Sequence, residues 1–134
     1  MAGYSGTPLV KKLGIKSGQT ICLVGAPASY PKTLGRLPTG VTVRRAPTGP
    51  LDVIHFFTTK RANLGERFSR LAAALSPAGM LWVSWPKKSS MLASDVTEDV
   101  VREVGLAAGL VDVKVCAVDE TWSGLKFVRR LADR

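Results

Sequence analysis

Arg61-Ala62-Asn63-Leu64-Gly65-Glu66-Arg67-Phe68-Ser69-Arg70-Leu71-Ala72-Ala73-Ala74-Leu75 runs into Ser76-Pro77-Ala78-Gly79 and then Met80-Leu81-Trp82-Val83-Ser84-Trp85. Leu64, Phe68, Leu71, Ala72 and Leu75 recur at helical spacing, so the first segment reads as a helix with one stripe against a core. Residues 76–79 predict its stop, because proline cannot continue the hydrogen-bond ladder and glycine permits a reversal. Residues 80–85 are apolar at nearly every position, the pattern of a strand covered by helices on both faces. Trp82 and Trp85 differ in parity and therefore point to opposite faces: Trp82 into the core, Trp85 at the strand end, where it can stack on a ring. A helix followed by a doubly covered strand is half of an α/β unit.

Working outward, the same alternation recurs. Thr7 fits a helix N-cap with Pro8 at the first helical position, Leu9, Val10 and Leu13 form the apolar side, and Gly14 ends the turn. Residues 20–25 read as a first core strand, 32–37 as a helical turn or two, 41–45 as a short strand, and 52–58 as a second buried strand. Downstream, Asp95-Val96-Thr97-Glu98 reads as a capping box for a helix whose stripe is Val100, Val101, Val104, Ala107 and Ala108. Residues 111–117 alternate as a half-exposed strand, 119–124 form a polar turn, and 125–130 return as its hairpin partner. This order predicts a three-layer α/β fold: a mostly parallel sheet, helices on both faces, and a C-terminal antiparallel hairpin.

A length of 134 residues predicts one domain, 1–134, with residues 1–19 as an N-terminal loop and helix packed on the core. No apolar run approaches the roughly 20 residues of a membrane helix. The first residues lack the basic-then-apolar pattern of a signal peptide, so a cytoplasmic location is expected. Cys22 and Cys116 lie in apolar stretches and read as buried thiols; with one histidine they make no metal set. Charge is uneven. Residues 1–94 hold 13 Lys/Arg against two acids, a net +11, whereas residues 95–134 hold six against eight, a net −2. A basic body of this kind points to an anionic ligand or partner.

Three stretches resemble the Rossmann-like fold of S-adenosylmethionine-dependent methyltransferases. Leu51-Asp52-Val53-Ile54 resembles the family's fourth strand, 71–83 the passage from a helix through Pro-Gly-Gly into the fifth, and 110–130 the closing hairpin. The whole chain resembles more closely a bacterial family of domains of unknown function. Residues 3–9, Lys11-Lys12-Leu13-Gly14-Ile15, Trp85-Pro86-Lys87-Lys88 and the Asp119-Glu120-Thr121-Trp122-Ser123-Gly124 turn carry that likeness. The departures from the methyltransferase pattern are specific. The cofactor loop reads Gly25-Ala26-Pro27-Ala28-Ser29-Tyr30 rather than Gly-x-Gly-x-Gly. The second strand ends on Arg44-Arg45, which cannot accept a ribose hydroxyl. Only residues 46–50 connect Arg45 to Leu51, too few for a helical crossover, so one strand–helix unit of the family core is missing. That short link leaves the direction of strand 41–45 open.

Ligands of open α/β sheets bind outside the carboxyl ends of the strands. Those ends are Gly25-Ala26-Pro27, Arg44-Arg45, Thr58-Thr59-Lys60-Arg61 and Trp85-Pro86-Lys87-Lys88-Ser89, with Tyr4 in a segment expected to lie over them. Six cations and no acid on one rim suit a phosphate-bearing ligand, whereas the alternative is a merely solvated set of loops. His55 sits mid-strand and reads as a buried neutral imidazole with one hydrogen-bond partner. Asp119 and Glu120 read as a wet turn, and Ser5, Thr58, Ser84 and Ser89 show no base partner for nucleophilic chemistry.

The leading expectation is a non-catalytic binding domain on a degenerate methyltransferase-like core, with no cofactor, recognising an anionic ligand or partner. The alternative is a small S-adenosylmethionine-dependent methyltransferase with an atypical cofactor loop. A nucleic-acid-binding module is a third reading and rests on charge alone. The exposed hairpin edge is a surface on which a second copy could pair as a homodimer.

Overall fold

The computed structural model describes residues 7–134. Elements follow in the order α1 (Leu9–Leu13), β1 (Thr20–Val24), α2 (Tyr30–Leu34), β2 (Thr42–Arg44), β3 (Leu51–Phe57), α3 (Arg61–Ala73), β4 (Leu75–Pro86), α4 (Glu98–Ala107), β5 (Leu110–Ala117) and β6 (Trp122–Arg129). The six strands form one sheet in the order β2-β1-β3-β4-β6-β5. β2, β1, β3 and β4 are mutually parallel; β6 pairs antiparallel with β4, and β5 with β6. This is the expected α/β architecture with its terminal hairpin.

Strand alternation sends side chains to two cores. One, against α3 and α4, holds Ile54, Phe56, Leu81, Val83, Trp85, Leu125 and Phe127 with Leu64, Phe68 and Val101 of the helices. The other, against α1 and α2, holds Ile21, Val53, Phe57 and Trp82 with Leu9, Leu13, Tyr30 and Leu34. Trp82 and Trp85 are thus on opposite faces, as their parity requires. Cys22 and Cys116 also belong to opposite cores and are free thiols, which removes any disulfide between them.

β2 runs parallel to β1, with Thr42 opposite Thr20 and Arg44 opposite Cys22. A five-residue link suffices because β2 is only three residues long. From Arg45, whose carbonyl lies 4.0 Å from the Cys22 Sγ donor, the chain turns back across β1 and enters β3 at Leu51, where the Leu51 N–H donates to the Ala74 carbonyl (2.9 Å).

Several local expectations need correction. The helix at 61–75 ends at Ala73, and residues 76–79 belong to β4 rather than to a free turn. Leu51 pairs with Leu75 and Val53 with Met80, so residues 76–79 of β4 stand against Asp52 alone and the extra residues bulge. Asp52 holds the bulge, accepting from Ser76 Oγ (3.2 Å) and from the Thr20 N–H (2.8 Å). Thr7 does not cap α1; Pro8 occupies the N-cap with no side-chain bond. Thr97, not Asp95, caps α4, accepting from the Val100 N–H at 3.3 Å. Asp95 instead caps α3, accepting from the Arg61 N–H at 2.6 Å. In α4, Ala107 is exposed, and Gly105 is the buried contact: a β-carbon there would fall 2.0 Å from the Phe127 ring. Among the described residues no helix is long and apolar enough to cross a membrane.

Candidate functional site

The chain leaves β1 for β2 on one side and returns to β3 on the other, so β1 and β3 flank a topological switch point. Gly25 lies at its carboxyl edge with φ +68°, and a β-carbon there would stand 2.7 Å from the Phe57 carbonyl oxygen. Only glycine satisfies both the left-handed backbone and that approach. Ala26 and Pro27 follow, and the Pro27 carbonyl accepts from the Tyr30 N–H (2.9 Å) where α2 starts.

Tyr30 anchors this loop from beneath. Its ring is buried edge-on to His55 (centroids 5.0 Å apart) and to Phe57 (4.7 Å). Tyr30 Oη lies 2.6 Å from His55 Nδ1, and His55 Nε2 lies 2.6 Å from Ser84 Oγ. His55 therefore has two partners, not one. Burial lowers its pKa to about 3, so the imidazole is neutral, with one nitrogen donating and the other accepting. Burial, reinforced by the Cys116 and Asp119 charges, pushes the Tyr30 hydroxyl upward. The expectation that Ser84 lacks a base partner is overturned. His55 pairs directly with Trp82, so Ser84 lies two residues along on the same face, within reach of the ring. Ser84 is fully buried, which keeps the pair from any external substrate and makes it a structural relay.

Because β2 is parallel, Arg44 and Arg45 do belong to the carboxyl edge. Arg44 is turned away from it: its Nη1 donates to the Thr48 (2.9 Å) and Gly49 (3.4 Å) carbonyls of its own link. Arg45, Lys60 and Arg61 are exposed. At the end of β4, a cavity of about 580 Å³ brings together Trp85, Lys87 and Lys88 with Val96, Thr97, Glu98 and Asp99. Trp85 is only 6% exposed and forms part of that cavity's wall. Arg44, Arg45, Lys60, Arg61 and the Gly25–Pro27 loop do not line it. Tyr4 lies outside the described residues.

The edge is consequently not wholly cationic. Glu98 and Asp99 face Lys87 and Lys88 across the cavity, and Arg102 ties Glu98 (2.9 Å), Asp99 (3.6 Å) and Asp112 (2.9 Å) together. The Arg102 hydrogen bond holds the Asp112 carboxyl below its usual value. Thr97, Glu98 and Asp99 were readable as a helix start, but nothing in their spacing placed that helix beside the end of β4. Asp119 Oδ1 accepts from the Thr121 and Trp122 N–H groups (2.8 Å each), so Asp119 closes the hairpin turn. Among the described residues no cluster of three or more metal-ligating side chains occurs.

The fold is that of methyltransferases. A SAM-dependent methyltransferase from Aquifex aeolicus superposes with a TM-score of 0.62 at 18% identity, covering 89% of this chain and 86% of that one. A precorrin-6y C5,15-methyltransferase from Geobacter metallireducens gives 0.61 at 11%, covering 91% and 86%. The magnesium protoporphyrin IX methyltransferase of Synechocystis, with bound SAM, gives 0.57 at 14%, covering 91% and 74%. At these identities the likeness is one of fold. The sequence matches no protein-family model and no curated protein.

Proposed function

We propose that this chain is a small S-adenosylmethionine-binding methyltransferase whose cofactor loop departs from the glycine-rich form. The observation that carries this reading is the β1–β3 switch point, closed by Gly25 against Phe57, in a fold shared with methyltransferases of which one holds SAM. The Gly25-Ala26 backbone offers the close approach such a ligand needs, and the cavity beside Trp85 on the same edge is sized for a methyl acceptor. The fit is partial. Pro27 has no N–H, and the end of β2 carries Arg44 and Arg45, which donate but cannot accept from ribose hydroxyls. No catalytic step is assigned for that reason.

A second reading, binding of a phosphate-bearing ligand without catalysis, is favoured by Arg45. An arginine at the end of the second strand suits a ribose phosphate better than free hydroxyls. Calorimetry with S-adenosylmethionine, its demethylated product and adenine nucleotides separates the two, followed by transfer of a labelled methyl group. Binding of S-adenosylmethionine that is lost in Gly25→Val supports the first reading. Binding confined to phosphorylated compounds and lost in Arg45→Ala replaces it with the second.

A further inference from the structure

On the face covered by α1, Lys114 of β5 and Lys126 of β6 are direct cross-strand partners, so both side chains leave the same side of the hairpin. Lys126 is also opposite Trp82, and its ammonium stands 5.9 Å from the indole ring. That indole is pinned in turn, its Nε1–H donating to the Leu13 carbonyl at the end of α1 (2.9 Å). Lys11 and Lys12 of α1, with Lys114 and Cys116 of β5, line a groove of about 380 Å³. No acid lines it among the described residues. Lys114 and Lys126 take part in no salt bridge among those residues.

Like charges placed directly opposite on an antiparallel pair repel, and an acid at either position would relieve the strain. Burial and the Lys114 charge both lower the Lys126 pKa, as expected of an ammonium with no counter-ion. Burial raises the pKa of the Cys116 thiol, and the positive charges of Lys12, Lys114 and Lys126 oppose that rise, so all three bear on the groove's floor. Lysine ammonium groups act as compact point charges that bind tetrahedral oxyanions, and several on one wall favour a multiply charged anion over a single carboxylate. A nucleic-acid strand would need an extended cationic track with exposed aromatic platforms; Trp82 is fully buried.

We propose that this groove binds a compact phosphate-bearing anion, pyrophosphate being its simplest form, through Lys11, Lys12 and Lys114 of its lining, with Lys126, the cross-strand partner of Lys114, beside them. The site lies on a face of the hairpin, not on the carboxyl edge, and stands or falls separately from methyl-donor binding.

The test is calorimetric titration of the whole chain with inorganic pyrophosphate at low and moderate salt. The expected result is saturable one-to-one binding, weakened at least tenfold by Lys114→Ala and by Lys126→Ala but unchanged in a Lys87→Ala/Lys88→Ala double variant. The unliganded Lys114→Ala protein should melt no lower than the parent, since a repulsion has gone. Lys126→Met, which keeps the stem over Trp82, should repeat the binding loss. In the parent, NMR titration should show the Lys126 pKa rising when pyrophosphate is bound. Absence of saturable binding, equal loss in the Lys87/Lys88 variant, or loss that tracks a lower melting temperature in both Lys114→Ala and Lys126→Met would overturn the proposal. So would short duplex DNA displacing pyrophosphate from the same lysines with a steep salt slope.

Discussion

The two faces of the sheet are built on different rules. Against α3 and α4 the core is filled by apolar side chains, from Phe56 and Leu81 to Phe127 on Gly105, with polar contacts such as Asn63 to Thr58 kept to its margin. Against α1 and α2 the core carries polar atoms at fixed distances: Tyr30 to His55, His55 to Ser84, and Trp82 to the Leu13 carbonyl. An apolar face is specified by volume, and shape-conserving changes in it cost little. A hydrogen-bonded face is specified by angle and distance, because removing one partner leaves the other buried and unpaired. The face with fixed geometry is the one that fixes α2, and so the loop after β1. The molecule thus holds the carboxyl edge of its sheet by polar contacts and its mass by apolar ones.

The largest effect should come from the apolar face. Phe127→Ala removes a fully buried ring wedged between Phe68 and α4 and should cost about 3–5 kcal/mol in urea unfolding. A loss below about 1 kcal/mol would show that this face is not packed as described. On the polar face, Tyr30→Phe keeps the ring but deprives the His55 Nδ1 of its partner, at about 1–3 kcal/mol. Ser84→Ala should cost a similar amount. The double variant should cost less than the sum of the two, because both act through one imidazole; strict additivity would break the idea of a relay.

The pH dependence follows from the same imidazole. His55 is neutral when folded, with its pKa lowered from 6.5 to about 3, while in the unfolded chain it titrates near 6.5. The unfolded state therefore binds a proton the folded state refuses. Stability from this group is present above pH 6.5 and falls away between about pH 6.5 and 3, by about 1.4 kcal/mol per pH unit at most. His55→Gln should flatten that slope relative to the parent, whatever it does to absolute stability. An unchanged slope would mean that carboxylates, not His55, set it. The smallest effect should be Thr97→Ala, which loses one side-chain cap of α4, about 1 kcal/mol and a few degrees in melting temperature.

What could be read in the sequence was what local chemistry decides. Residues 80–85 declare a doubly covered strand by being apolar on both parities, and Gly14 declares the end of α1, where it takes the left-handed C-cap conformation. What could not be read depends on partners distant along the chain. Three exposed residues, Thr42 to Arg44, carry no direction of their own; their register is imposed by β1. Ser84 meets His55 only because β3 and β4 pair with His55 opposite Trp82. Asp95 looked like the cap of the helix that follows it and serves the helix 34 residues before it. The carboxyl edge looked uniformly basic because its acids, Glu98 and Asp99, arrive on a helix whose docking is tertiary.

His55 is the only histidine in the chain, and it touches α2 through Tyr30 and β4 through Ser84. The interior thus has a built-in reporter. Its two ring nitrogens give one pair of resonances in a labelled sample, free of overlap with any other imidazole, and the tautomer they record depends on which neighbour donates. A ligand that settles the loop after β1 would be heard in that signal before any product was made.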